Sequence, residues 1–484
     1  MIPLTLREIA QIVDGTLGDA DPETTVTGTV EFDTRKVTPG GLFVAFAGER
    51  VDGHDLVGDA LAAGAVACMV TRPVAGPSLL VDDALAALAA LAAAVVRRLP
   101  ATVVGVTGSS GKTSTKDLIA QLLSPEGPTV APPGSFNNEL GHPYTVLRAT
   151  PDTRFLVLEK SARGVGHIRY LTQIAPPRVA AVLNVGSAHL GEFGSREAIA
   201  QAKGELVEAL PAAGAGGVAV LNADDPLVLA MRERTSARVV TFGLAADADV
   251  RATDVALDAL GRAAFTLHAR GEQAGVELRV AGAHQVSNAL AATGIALECG
   301  VSVADAAARL SAATAASRWR MELTERGDGV LVVNDAYNAN PESMTAALET
   351  LARIGTARAG ATWAVLGPMA ELGDDAEAEQ AAVGRHAASL GVAHVLAVGE
   401  LARPTSDAAA LEGSWAGEAR WVPDVAAAVD VLRAELGRGD AVLVKASRSA
   451  SLERIAAALT EDEQAPAESA GPIGPTGPRR GDQR

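Results

Sequence analysis

At 484 residues the chain is too long for one ordinary core, so two to four domains are expected. Hydrophobic residues make up 48% of it and aromatics only 3%, so its cores are to be built from Ala, Val and Leu at close backbone spacing. A net charge of −17 without a basic stripe argues against nucleic acid as a partner, and Cys68 and Cys299, both in apolar surroundings, support neither a disulfide framework nor a zinc site.

Residues 1–98 read as a small α/β unit. Residues 4–10 begin a helix with Thr5 as its cap and Glu8 in the box position. Two polar loops, one with Thr34-Arg35 and one with Asp52-Gly53-His54, follow strand-like runs, where a ligand would sit on such a fold; ordinary surface turns explain them equally well. No basic region followed by an apolar run opens the sequence. The apolar stretch 84–96 is too short to cross a membrane and ends at Arg97-Arg98. A cytoplasmic protein without an integral membrane segment is expected.

Residues 99–316 alternate strands with helices, which predicts a mostly parallel sheet. At their head, the strand 103–106 runs into Gly108-Ser109-Ser110-Gly111-Lys112-Thr113-Ser114, with helix expected from Thr115. Strand, glycine-rich turn and helix form the setting of a phosphate-binding loop: glycines let backbone N–H groups converge on phosphate, Lys112 reaches the outer phosphates, and Thr113 meets a magnesium ion. The first glycine stands one residue closer to Gly111-Lys112 than the consensus asks. Glu159 ends a strand at the edge where such a loop needs an acidic metal partner, and His189 ends another. Lys203 lies in an apolar helix, where exposed lysines are the norm. Residues 248–281 read as antiparallel ribbons.

A third α/β unit occupies residues 317–460. Asn334-Asp335-Ala336-Tyr337-Asn338-Ala339-Asn340-Pro341 packs amides, a carboxylate and a phenol between a strand and a proline-initiated helix. That density suits hydrogen bonding to a base, ribose or phosphate better than a plain turn. Lys445-Ala446-Ser447-Arg448 ends the last strand. Residues 461–484 are acidic, then Pro- and Gly-rich, and are expected to be disordered.

These strings, together with Ser135-Phe136-Asn137-Asn138-Glu139-Leu140-Gly141, resemble the Mur ligase family in the right order, over residues 4–459. The resemblance implies a monomer with a UDP-binding N-terminal domain, a central ATPase and a closing C-terminal domain. The reaction it implies is ATP-dependent addition of D-alanyl-D-alanine to UDP-N-acetylmuramoyl-tripeptide through an acyl phosphate, with two Mg2+ ions. By the resemblance, Thr113, Glu159, His189 and a carbamylated Lys203 hold the ions, and His284, Asn288, Arg320, Asp335, Tyr337, Asn338 and Asn340 contact ATP. Asn138 meets phosphate or the acyl group, the Thr34-Arg35 and Asp52–His54 loops meet the uridine nucleotide, and Lys445, Ser447 and Arg448 face the dipeptide. A related ligase using another acyl acceptor, or a nucleotide-binding regulatory protein, are the competing readings. Three departures stand out. Lys160-Ser161 follows Glu159 where Met-Gly is usual, and this cation either points away along the strand or weakens ion binding. Gly367-Pro368-Met369 lacks the usual carboxylate, and Ala446 adds a methyl where backbone approaches ligand.

Overall fold

The strand-sized runs of Val, Ala and Leu become strands buried on both faces, as expected where helices cover a parallel sheet. In the computed structural model, which describes residues 1–48, 51–186, 190–370 and 372–461, they assemble into sheets of five, nine and six strands, with a two-stranded ribbon beside the first. This is a three-domain α/β architecture. Residues 462–484 lie outside the described part.

The first sheet runs in the spatial order Thr16–Leu17, Ser78–Leu80, Ala65–Val70, Gly41–Val44, Val30–Glu31 and is parallel except for its first pair. The first helix spans Leu6–Val13 and carries the expected capping box: the Glu8 carboxylate accepts from Thr5 N at 2.9 Å, and Thr5 Oγ1 accepts from Glu8 N at 3.2 Å. It starts two residues late because Leu4 and Thr5 pair with Thr25–Val26. The helix Ala84–Arg98, capped by Asp83, buries Leu88, Leu91 and Val95 in one cluster with Leu156 and Leu158 of the central sheet, so the first two units share a core.

The central sheet places Thr102–Thr107 between Phe155–Glu159 and Val179–Val182, all parallel. From Thr102–Thr107 the chain runs out to the edge strand Thr129–Val130, comes back as Phe155–Glu159 between the two, and then crosses to build the other side from Val179–Val182. The loop after Thr102–Thr107 therefore opens at a topological switch point, where α/β sheets bind ligands. Val250–Leu257, Arg262–Ala269 and Glu272–Ala281 extend this sheet as the expected antiparallel ribbons.

The third sheet runs Glu322–Glu325, Leu331–Asn334, Ala441–Lys445, Thr362–Leu366, His394–Val398, Glu418–Val422, with only the first pair antiparallel. Its connection to the central unit is tied to the helix Lys112–Leu123. Buried Lys116 pairs with Asp117 and donates to Pro132 O at 2.9 Å. Asp117 Oδ2 accepts from Ser317 N at 3.0 Å, and Gln121 and Thr314 exchange bonds at 3.0 and 3.1 Å. Among the described residues no helix is long and apolar enough to cross a membrane.

Candidate active site

Residues from the central and C-terminal units line one cavity of about 500 Å3, and the phosphate loop forms its floor. The helix begins at Lys112, three residues earlier than expected, because Gly111 serves as its N-cap with φ +78°. A side chain there would be strained, and its Cβ would fall 2.4 Å from Asn288 Oδ1, so glycine is required twice over. No side chain caps this helix, and its first N–H groups and dipole are left facing the cavity. Lys112 Nζ folds over the loop, donating to Gly108 O at 2.7 Å and Ser109 O at 3.2 Å. Asn184, which the sequence reading gave no role, pins the loop from the next strand: Ser109 N donates to its carbonyl at 3.1 Å and Ser110 N to Oδ1 at 2.9 Å.

At the second helical residue, the Thr113 hydroxyl donates to Glu159 Oε2 at 3.0 Å, while Glu159 Oε1 accepts from Ser135 Oγ at 3.0 Å and Asn137 Nδ2 at 2.6 Å. Glu159 is 1% exposed, and three neutral donors hold its carboxylate in place. Ser135 and Asn137 lie in the quoted Ser-Phe-Asn-Asn-Glu string, whose density of polar groups was the available signal. Asn138 also lines the cavity and accepts from Gly141 N at 2.8 Å.

A hydroxyl and a carboxylate oxygen 3.0 Å apart at a helix mouth form a hard, all-oxygen set that suits Mg2+, an ion that keeps several waters and takes its remaining ligands from phosphate. No group of three or more His, Cys, Asp or Glu converges among the described residues, and a magnesium site of this kind does not need one. His189 lies outside the described residues. Lys203 is not an exposed helix lysine but is 3% exposed, and burial, aided by the charge of Lys112, lowers its pKa well below the ordinary lysine value. It does not line the cavity.

Lys160 points away from Glu159 along the strand, as alternation predicts. Fully buried, its Nζ lies 3.2 Å from His142 Nε2 and donates to Leu171 O at 3.2 Å and Ala175 O at 3.3 Å, two carbonyls at the end of the helix His167–Ile174. It places no charge on the cavity side.

The C-terminal unit supplies the opposite wall. Arg320 Nη2 donates to Thr113 Oγ1 at 3.0 Å, and its guanidinium lies 4.2 Å from the Tyr337 ring centroid. Trp319 and Met321, on either side of it, have φ of +60° and +50°, a left-handed arch costing roughly 1–3 kcal/mol per residue. The arch is held by Trp319 O accepting from Tyr337 N at 3.3 Å and by Met321 N donating to Asp335 Oδ1 at 3.1 Å. Lys445 Nζ donates to Asp335 Oδ2 at 2.5 Å and to Asn338 O at 2.9 Å; burial lowers its pKa, and Asp335 opposes that shift. His284 is half-buried beside this pair, and desolvation lowers its pKa. Asn288 donates to Gln285 Oε1 at 2.9 Å and accepts from Thr115 Oγ1 at 3.2 Å.

Two of the three asparagines in the polar string act as backbone caps: Asn334 Oδ1 accepts from Ala336 N, and Asn340 forms a capping box with Ser343 at the head of the helix Pro341–Thr356. Ser447 and Arg448 do not line the cavity. The Ser447 hydroxyl accepts from Ala370 N at 2.8 Å, clamping the loop after Gly367-Pro368, and Arg448 pairs with Glu453 at 2.6 Å and lies over Trp319. The Ala446 methyl turns into the domain core, where the Cβ of a residue at Gly367 would meet it at 2.6 Å, and not toward the cavity.

The first-unit loops also lie apart from this cavity. Asp33 accepts from Arg35 N and pairs with its guanidinium, fixing the turn Thr34–Lys36. Asp52 Oδ1 lies 2.6 Å from His54 Nδ1 and is held down to about 2 by hydrogen bonds from His54; His54 Nε2 accepts from Thr71 N at 3.0 Å. A Cβ at Gly53 would meet Phe46 backbone atoms at 2.9 Å. All these loops follow the carboxyl ends of parallel strands. An aromatic group of Phe46, Phe32, Tyr144 and Phe136 runs from them toward the central unit, with Tyr144 donating to buried Glu31 across the boundary at 3.0 Å.

Comparison with known proteins agrees with this geometry. The Mur ligase middle domain matches residues 106–296, the Mur ligase glutamate ligase domain residues 319–448, and the Mur ligase family catalytic domain residues 28–97. The UDP-N-acetylmuramoyl-tripeptide--D-alanyl-D-alanine ligase of Mycobacterium tuberculosis (strain ATCC 25618 / H37Rv) is 52% identical, over 96% of this chain and 99% of its own. Its Escherichia coli (strain K12) counterpart is 37% identical over the same shares. A crystal structure of MurF from Acinetobacter baumannii superposes with a TM-score of 0.83 at 32% identity, covering 95% of this chain and 99% of that one. The chain belongs to the Mur ligase family.

Proposed function

We propose that this protein joins D-alanyl-D-alanine to UDP-N-acetylmuramoyl-tripeptide at the expense of ATP, making the pentapeptide precursor of peptidoglycan. The observation that carries the reading is the Thr113–Glu159 pair at the mouth of an uncapped helix, with Lys112 below it and Arg320 opposite. These groups are arranged to receive a triphosphate and the carboxylate that attacks it. Relatives named for this reaction match along almost the whole chain.

In this reading the helix N–H groups and Lys112 bind the phosphates, and Arg320 with the Asp335–Asn340 loop reaches ATP from the C-terminal wall. His284 and Asn288 lie on the adenine side, and Asn138 meets phosphate or the acyl group. Thr113 and Glu159 would hold a magnesium ion, and His189 and Lys203 a second; when bound, such ions neutralise charge growing on the transferring oxygens. Burial lowers the Lys203 pKa and so favours the uncharged amine, the form that takes up carbon dioxide to give a carbamate and a proton. The tripeptide carboxylate attacks the γ-phosphate, ADP leaves, and the amine of the dipeptide then attacks the acyl phosphate and displaces phosphate. Lys445 stands nearest the dipeptide. The two walls around the cavity keep water from the acyl phosphate. The Thr34-Arg35 and Asp52–His54 loops would receive the uridine nucleotide, and the protein acts as a monomer in the cytoplasm.

The test is phosphate release from ATP and Mg2+ with each substrate omitted in turn. Release requiring both UDP-tripeptide and D-Ala-D-Ala, with a pentapeptide of the right mass, is expected. Release with another acyl acceptor alone, or ATP binding without turnover, would overturn the reading.

A further inference from the structure

At the end of the central sheet opposite the phosphate loop, the parallel strands start around a second cavity, of about 310 Å3. Thr102, Phe155, Val179 and Val218, each the first residue of its strand, line it. The strand Thr102–Thr107 separates it from the loop by roughly 17 Å at the usual rise per residue. The ligation chemistry proposed above makes no use of this end.

Three guanidinium groups line the cavity, those of Arg154, Arg178 and Arg238. In a chain whose net charge is −17, such a gathering of cations calls for a reason. Glu298 is the one carboxylate among the lining residues, and it is shared: Arg238 pairs with it, and Arg270 reaches it at 3.1 Å. Arg154 and Arg178 pair with no carboxylate among the described residues. Arg154 Nη1 donates to Glu126 O at 2.5 Å, and Arg178 Nε donates to Gly216 O at 3.4 Å. The Glu126 carboxylate is itself taken by Arg309 at 2.8 Å. Four guanidinium groups therefore stand against one carboxylate.

The two arginines without an anion are held in place. A Cβ at Gly127 would fall 2.7 Å from Arg154 Cδ, and one at Gly216 would fall 2.8 Å from Arg178 Nη2. Each side chain thus lies across a glycine where a larger residue would bar it. Arg154 also lies 5.4 Å from the Phe155 ring centroid. The Cys299 thiol, in the wall of the cavity, registers their convergence. Burial pushes it up to about 12 and the charge of Glu298 adds to the rise, while the charges of Arg178 and Arg154 both oppose it.

We propose that Arg154, Arg178 and Arg238 form a binding site for a phosphate-class oxyanion. Guanidinium forks bind such anions through paired, charge-assisted hydrogen bonds, and side chains already held in place lose little freedom in doing so. A doubly charged anion would offset most of the excess positive charge. It is either free inorganic phosphate or the phosphate of a nucleotide. In the second case the neighbouring groove of Pro176, Pro177, Leu210 and Pro211, which shares Arg178, gives the organic part a place to lie.

Cys299 reports on this site separately from any phosphate held at the loop. The experiment follows carbamidomethylation of Cys299 by iodoacetamide, read by peptide mass spectrometry so that buried Cys68 does not contribute. Inorganic phosphate and ADP are each compared with sodium chloride of matched ionic strength. In the wild type, phosphate or ADP should slow the reaction about tenfold at saturation, the effect of one further pKa unit on the thiolate population. Arg154→Gln/Arg178→Gln removes two exposed side chains and should lose this protection while keeping the wild-type unfolding temperature. Arg178→Lys keeps a cation and should retain part of the protection, which a variant that lost it by misfolding would not. Stronger protection by inorganic phosphate identifies the free ion as the ligand and stronger protection by ADP the nucleotide; either result supports the site. Protection no greater than that of chloride would overturn the proposal. So would protection undiminished in the double variant, since it would then originate at the phosphate loop.

Discussion

Lys160 Nζ and His142 Nε2 stand 3.2 Å apart in the interior of the central unit, on the far side of the strand from the Glu159 carboxylate. Lys160 donates to Leu171 O and Ala175 O and meets the histidine nitrogen, so its role is to tie the strand end to the helix behind it. Lys160→Met should leave the magnesium dependence of nucleotide binding unchanged, whereas Lys160→Ala should cost about 3 kcal/mol through a cavity and unsatisfied carbonyls. Burial lowers the Lys160 pKa, so between its folded value and the ordinary lysine value the unfolded chain binds more protons. Its contribution therefore rises with pH through that window and is lost as pH falls. Urea unfolding of the wild type should gain more between pH 7 and pH 10 than that of Lys160→Met. A shifted magnesium requirement in Lys160→Met would place the lysine in the site after all.

Lys112→Ala should abolish phosphate release, by about 10^3-fold or more, the scale seen when a preorganised donor to developing charge is removed. The side chain lies over its own loop and is only half-buried, so the urea midpoint should hardly move. Turnover within tenfold of the wild type would remove this loop from the chemistry.

Glu159→Gln is the sharper probe of the metal site. The carboxylate accepts three hydrogen bonds on two oxygens, and an amide has only one oxygen to offer. Either Thr113 or the Ser135–Asn137 pair would then face an N–H group. Calorimetry should find metal-free ATP binding retained and its enhancement by Mg2+ lost. Enhancement equal to the wild type would show that the ion is held elsewhere.

Ala446→Gly should cost about 1 kcal/mol of stability through one lost buried methyl and added chain freedom, with kcat/KM for the dipeptide within about twofold of wild type. Gly367→Ala brings two methyl carbons to 2.6 Å and should cost more, about 1–3 kcal/mol. Combining the two should recover part of that loss, a non-additivity that thermal unfolding would read directly. A large fall in kcat/KM for Ala446→Gly would mean that the methyl faces ligand.

What the sequence revealed depended on how local the encoding was. Gly111-Lys112-Thr113 announces a phosphate loop because a positive-φ cap and a helix start are written in adjacent residues. Thr5 and Glu8 announce a helix start for the same reason. Lys203 was misread because one inward stripe, Ile199, Ala202 and Leu206, was visible, while the packing that also buries Gly204 and Glu205 was not. Ser447 and Asn340 show a different limit. A hydroxyl or amide at a strand end looks the same in sequence whether it meets a ligand or a neighbouring backbone N–H. Only the fold reveals that Ala370 N and Ser343 N reach them first. Asn184 comes to the phosphate loop from beyond another strand, so no spacing could have announced it.

The helix Lys112–Leu123 carries Thr113 at its head, and through Lys116, Asp117 and Gln121 it grips the segment that leads to Arg320. Both the floor of the cavity and the approach of its opposite wall are thus gauged from a single rigid rod. An error of register between the two domains is corrected at its source, before it can displace the guanidinium from the hydroxyl it meets. Lengthening the segment after Thr314 by one residue would detune that alignment even though every residue touching nucleotide was left in place.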